Sequence, residues 1–232
     1  RLSQRSENRF VGVACGIMDQ FASLLGKEKR LIRLDCRDLS YQYVPFERED
    51  LLLVLCDSQV RRSLAGSEYN LRRAQCQEGL AVLRRDHPEV ESLRDATLAM
   101  VEAHRGAMDP AVYRRCAYVV QENQRVVDAC AALDRGDVAA FGAAMNATHE
   151  GLAHGYEVSC PELDILAEAA QGMLGVHGAR MMGAGFGGCT INLVEADALP
   201  AFESGMAAVY RGRLGKEPVL HVCKLRGGTE LV

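Results

Sequence analysis

The sequence has no excess of basic charge: 27 Lys and Arg stand against 31 Asp and Glu, for a formal net charge of −4 over 232 residues. A polyanion such as nucleic acid requires a concentrated basic surface, so no such partner is expected. It has no apolar run near the roughly 20 residues that cross a bilayer, and no secretory leader pattern. It also has no Cys pair spaced C-x-x-C and no Cys–His spacing of the zinc kind. The nine cysteines, at 15, 36, 56, 76, 116, 130, 160, 189 and 223, are odd in number. Several fall inside apolar patterns. A reduced, cytoplasmic protein with buried thiols fits them better than a disulfide framework.

What is present supports a folded core. Hydrophobic residues make up 48% of the chain, enough for one large domain or one domain plus part of another. The charged residues, 25%, are mixed along the chain and read as solvated faces. No internal repeat or low-complexity tract is evident.

Residues 1–10 read as the tail of a helix that starts upstream. Met18, Phe21, Ala22 and Leu25 form a short helical pattern between glycines. Arg30–Cys36 and Tyr41–Phe46 read as two strands around the polar turn 37–40. Leu51–Cys56 is a continuous apolar run bounded by charge, the mark of a buried strand. A helix is expected from near Ser67, with Glu68 in its first turn. Residues 86–110 are weakly patterned. The clearest helix covers 111–133, with Val112, Cys116, Val119, Val120, Val126, Val127, Cys130 and Leu133 near helical period. Helices are also expected over 138–152 and 161–174, the second with Pro161 at its first position. Strands are expected at Thr190–Val194 and Val219–Leu225. Helices and strands alternate without a regular βα repeat, which predicts an α+β fold, not a doubly wound parallel sheet.

Gly183-Ala184-Gly185-Phe186-Gly187-Gly188 satisfies G-x-G-x-x-G. A dinucleotide fingerprint requires a helix to follow, whereas residues 189–194 look like a strand, so the Rossmann reading fails on context. A glycine-rich turn entering a strand and a loop approaching a ligand both remain open. Asp19 sits among Ile17, Met18 and Phe21. It reads either as a helix-start residue stabilised by backbone N–H groups or as a base in a cleft. Glu7, twelve residues earlier, is either an ordinary surface residue or a ligand for a hard cation. Tyr69 and Arg72 are one helical turn apart and read as an exposed pair on one face. The histidines form no metal or triad pattern.

Five segments resemble the galactokinases of the GHMP kinase superfamily, in that family's order. Phe10-Val11-Gly12-Val13-Ala14-Cys15-Gly16-Ile17-Met18-Asp19-Gln20-Phe21 resembles the segment that carries the catalytic aspartate, and the match continues through 32–37. Residues 57–70, from Asp57-Ser58-Gln59 to Tyr69-Asn70, resemble the sugar-binding segment. Tyr156–Asp164 is a further distinctive match, and Gly183–Cys189 resembles the superfamily's third glycine-rich motif. Met182 stands where threonine is common, and Gly66 where serine is common.

The resemblance implies a GHMP kinase fold: residues 1–50 a remnant of the N-terminal domain, and 51–232 a C-terminal α+β domain of ferredoxin-like character. It implies transfer of a phosphoryl group from ATP, with Mg²⁺, to the C1 hydroxyl of galactose. Asp19 would be the base, Gly16, Asp19 and Tyr69 would contact the sugar, Glu7 would help hold Mg²⁺, and Gly183, Ala184, Gly185, Phe186 and Gly187 would lie beside the nucleotide phosphates. A monomer with no membrane partner is expected. The family's N-terminal sugar signature and phosphate loop are not in this sequence, so the chain by itself is expected to lack useful kinase activity. N-acetylgalactosamine kinase is one alternative, though Cys15-Gly16-Ile17-Met18 is less glycine-rich than that relative's segment. A galactokinase-like sugar sensor that regulates transcription and a truncated form with no ligand function are the others.

Overall fold

A computed structural model describes residues 2–12, 15–60 and 65–229. The chain starts with a short helix α1 (Leu2–Ser6), which runs into a π-helical turn, Glu7–Val11. Helix α2 (Met18–Leu25) follows, then two antiparallel strands, β1 (Arg30–Leu34) and β2 (Tyr41–Pro45). Arg30 faces Pro45 and Leu34 faces Tyr41. The turn between them is the polar stretch the sequence marks. It closes through the Leu39 N–H on the Asp35 carbonyl and the Asp35 N–H on the Ser40 carbonyl, each 2.9 Å.

The second sheet begins with β3 (Leu51–Asp57). A helical block is then inserted: α3 (Ala65–Leu83), α4 (Leu98–Ala103), α5 (Pro110–Asp134) and α6 (Val138–Glu150). After it come α7 (Pro161–Gln171), β4 (Val176–Met181), β5 (Cys189–Glu195), α8 (Leu199–Val209) and β6 (Leu220–Cys223). The strands lie in the order β4-β5-β3-β6 with every neighbouring pair antiparallel. Without the inserted block, the chain path is β-α-β-β-α-β, the ferredoxin-like pattern. The expected α+β class holds, including that detail.

Strand alternation decides the layers. Val54 and Cys56 point to one face, where they meet Leu166 and Ala170 of α7 and Phe202, Met206 and Tyr210 near α8. Leu51 and Leu53 point to the other, where they pack with Leu193, with Met145 of α6 and with Phe46 just after β2. The inserted block has its own core of Leu83, Val101, Val112, Cys116 and Val120. Helix α5 starts where the sequence says. Asp109 accepts the Ala111 N–H at 2.7 Å, and Pro110 fills the first turn, where its missing N–H costs nothing. Val126, on the apolar list for this helix, is instead exposed.

Three elements were not expected: α4, in the weakly patterned stretch 86–110, β4 and α8. Strand β4 reads Val-His-Gly-Ala-Arg-Met, without a β-branched run or clean alternation. It is an edge strand, and unpaired edge groups must find partners. Helix α6 supplies them: the Ala179 N–H donates to Asn146 Oδ1 at 2.8 Å, and the Met181 N–H to His149 Nδ1 at 3.2 Å. Gly142 makes the approach possible, since a Cβ there would press on the His177 backbone.

Candidate active site

The glycine-rich segment 183–188 is the β4–β5 turn, so it stands at one end of the sheet. Two other matched segments meet it there. Beyond β3, the Ser58 N–H donates to the Gly188 carbonyl at 2.9 Å. Ser58 is buried, and its own carbonyl accepts from Lys216 Nζ at 2.9 Å. Tyr210 anchors the strand end by donating its hydroxyl to the Asp57 carbonyl at 2.5 Å. From the other side, the Val158 carbonyl accepts the Phe186 N–H at 2.6 Å.

This packing explains two glycines without a ligand. Gly185 and Gly187 have φ of +87° and +124°, where side chains are disfavoured. A Cβ on Gly185 would collide with the Val158 carbonyl oxygen, and one on Gly187 would lie 2.7 Å from the Val60 carbonyl oxygen. Gly183 is exposed and Ala184 half-buried, so the loop's solvent side is at that end. Phe186 lies with its ring 5.9 Å from the Arg72 guanidinium.

Tyr69 belongs to the same constellation. It shares a face of α3 with Arg72 and Cys76, at helical spacing. Arg72 is not the exposed residue the sequence suggests: it is buried, donating from Nε to the Tyr156 carbonyl at 2.9 Å and from Nη2 to the Glu157 carbonyl at 2.8 Å. Tyr156 carries its hydroxyl 3.8 Å from Cys76 Sγ. Burial, the Cys76 thiol and Tyr69 together push the Tyr156 phenol upward, so it stays protonated. Sequence reasoning gave Arg115 no role, and Glu157 only a place in the matched segment Tyr156–Asp164. The signal was there: Arg115 falls on the Val112–Cys116–Val119 stripe of α5, and a charge on an apolar stripe requires a partner.

Glu7, Gly16 and Asp19 are all exposed, on the N-terminal segments. Among the described residues, no hydrogen bond, ion pair or ring contact joins them to Tyr69 or to 183–187. Asp19 is the second residue of α2, and Ile17 holds the cap position with no side-chain cap bond. The helix-cap reading therefore gives way, and what remains of it is a favourable charge in the first turn. Glu7 opens the π-helical turn, and the described residues contain no group of three or more His, Cys, Asp or Glu side chains suited to a metal. Helix α2 is fixed to β2 by the Tyr43 hydroxyl on the Leu25 carbonyl at 2.8 Å, and by Phe21 edge-on to Tyr41. It is also tied to the far end of the chain, where the Thr229 N–H meets the Ser23 carbonyl at 2.7 Å. A cleft of about 590 Å³ between β1–β2 and α5 is lined by Arg33, Arg37, Arg94 and Val126, among others, and includes none of these candidate residues.

Residues 129–212 match the family described as GHMP kinases C terminal. Galactokinase from Roseiflexus sp. (strain RS-1) is 40% identical over 228 residues, 98% of this chain and 58% of its own. Galactokinase from Homo sapiens is 46% identical over 200 residues, 86% of this chain and 50% of its own. The crystal structure of Lactococcus lactis galactokinase complexed with galactose superposes with a TM-score of 0.93 at 38% identity, over 99% of this chain and 60% of that one. The chain is thus similar to galactokinases over nearly all its length, and its residues 129–212 to the C-terminal region of GHMP kinases. The chain spans about half to three-fifths of the length of these galactokinases. The L. major mevalonate kinase structure, 18% identical with a TM-score of 0.51, shares the fold alone. No helix among the described residues is long and apolar enough to cross a membrane.

Proposed function

We propose that this chain is the C-terminal part of a galactokinase, which transfers the terminal phosphoryl group of ATP to the C1 hydroxyl of galactose. Residues 1–50 would complete an N-terminal domain and 51–232 would form the C-terminal one. The observation that carries the reading is the close match, across 99% of the chain, to a galactokinase complexed with galactose. The meeting of segments 57–60, 156–158 and 183–188 at one sheet end gives it a physical setting.

Phosphoryl transfer depends on positioning and charge stabilisation more than on covalent help from the protein. Asp19, exposed and with no ion pair among the described residues, is available to orient the C1 hydroxyl and accept its proton as the new O–P bond forms. Gly16 and Tyr69 would contact the sugar. The loop of Gly183, Ala184, Gly185, Phe186 and Gly187 would flank the nucleotide phosphates, its backbone shape already set by Val158 and Val60. Mg²⁺ fits the residues present: it binds through one or two carboxylates together with substrate phosphates and water, and Glu7 is an exposed carboxylate. The ion would offset charge on the phosphate oxygens.

The test is galactose-dependent release of ADP from ATP, measured on the chain alone and on the chain extended by the N-terminal part of the L. lactis enzyme. The extended protein should turn over, and Asp19→Asn should slow it by roughly 10²–10⁴. The chain alone should be inactive. Undiminished turnover in Asp19→Asn would overturn the role of Asp19, an inactive extended protein would overturn the assignment, and ordinary kinase rates from the chain alone would overturn its expected inactivity.

A further inference from the structure

Glu157 has φ of +54°, a left-handed backbone in a residue that carries a Cβ. Something must hold it there. Its carboxylate is gripped by consecutive residues of α5: Arg114 Nη2 donates to Oε1 at 2.9 Å and Arg115 Nη2 to Oε2 at 2.6 Å. Arg115 is only 2% exposed, and its Nη1 donates to the Gly155 carbonyl at 2.5 Å. Its Nε is buried with no partner. From the opposite side, Arg72 binds the Tyr156 and Glu157 carbonyls. Three arginines on two helices thus fix three successive residues, Gly155, Tyr156 and Glu157, the last two outside any helix or strand.

Stability alone does not account for such a cluster, because apolar residues of similar volume often serve as well as a buried ion pair. The carboxylate and carbonyl hydrogen bonds are directional, and they fall on the one residue of this stretch with a left-handed backbone. The residue after Glu157 is the one on which the glycine-rich loop rests, through the Val158 carbonyl and the Phe186 N–H at 2.6 Å. Arg72 adds a second contact, over the Phe186 ring.

We infer that Glu157, held by Arg114 and Arg115, is a positioning residue for the glycine-rich loop: it sets the Val158 carbonyl, which in turn sets the Phe186 N–H and the loop around it. Its bearing on catalysis rests on the reading above that this loop flanks the nucleotide phosphates. Its structural part does not. The arginines also keep Glu157 ionised, with its carboxyl held down to about 2 by the Arg115 hydrogen bond first and the Arg114 bond after it.

The experiment is amide hydrogen exchange by NMR on the 232-residue chain, comparing wild type with Glu157→Gln, Arg115→Met and Arg115→Lys. In Glu157→Gln and Arg115→Met the Phe186 amide should exchange roughly ten-fold faster, the change expected for losing about one net hydrogen bond. The α5 amides of Cys116 and Val120 should keep their protection. Arg115→Lys retains the charge and should give a partial rescue. In the extended kinase, Glu157→Gln should raise KM for ATP roughly ten-fold and leave KM for galactose unchanged, as expected of a change confined to nucleotide binding. Unchanged Phe186 exchange in a folded Glu157→Gln protein refutes the inference. So does acceleration spread equally over the loop and α5, which would make the cluster a general prop. A wild-type extended protein without kinase activity would sink the proposed function, while the exchange comparison would still decide the positioning role.

Discussion

Replacing Gly185 by alanine tests whether the glycine-rich loop is shaped by protein contacts. Alanine at φ of +87° meets a left-handed penalty of about 1–2 kcal/mol. The added Cβ also collides with the Val158 carbonyl oxygen, the acceptor of the Phe186 N–H. The neighbour is backbone, held by its own N–H on the Leu152 carbonyl at 2.9 Å, so it has little room to give. Losing the Phe186 bond costs a further net ~0.5–1.5 kcal/mol. The sum is about 1.5–3.5 kcal/mol, or roughly 3–14 °C in Tm for a chain of this size. Gly212→Ala is the matched control. It lies in the helical turn Tyr210–Leu214, and a Cβ there meets nothing within 4 Å. Alanine at that site should be neutral or stabilising by up to about 1 kcal/mol. The assay is urea and thermal unfolding of the three proteins side by side. Equal unfolding midpoints for wild type and Gly185→Ala, or equal losses in both variants, would refute the reasoning.

Two further outcomes follow from buried groups. His149 is buried, its Nδ1 accepts the Met181 N–H, and its Nε2 lies 3.4 Å from Asp164 Oδ1. Burial lowers its pKa below 6.5. The unfolded chain therefore binds a proton that the folded chain refuses, and stability should fall as pH drops below about 6.5. Urea midpoints at neutral and mildly acid pH should fall more in wild type than in His149→Gln, and equal slopes would count against the burial argument. Among the cysteines, burial pushes the Cys56 and Cys116 thiols to about 12, while Cys36 is exposed. A thiol reagent on native protein should label Cys36 long before those two, and early labelling of Cys56 would show that the β3 core is not closed.

Legibility varied with the source of each signal. The β1–β2 pair, β3 and α5 were readable because their patterns are local: a polar turn, a continuous apolar run, and a helical stripe begun by Asp109-Pro110. Strand β4 was not, because its Gly178 and Arg180 give no strand pattern, and its edge is satisfied by Asn146 and His149 from a helix some thirty residues away in sequence. The candidate site divides in the same way. Asp19, Tyr69 and the glycine-rich loop drew attention through family resemblance, since spacing alone left each of them ambiguous. Arg72 was misjudged as exposed because its partners are carbonyls at 156 and 157, which no helical spacing reveals. The pairing of Arg115 with Glu157 escaped notice for the same reason.

By itself, the sequence determined the α+β class and the similarity to galactokinases, because these reside in short-range period and motif order. Tertiary structure alone decided that the Asp57–Val60, Tyr156–Val158 and Gly183–Gly188 segments share one sheet end, and that three arginines fix the backbone under the loop. Those contacts join residues far apart in sequence, and a chain reveals them only when burial forces each polar group to find its partner.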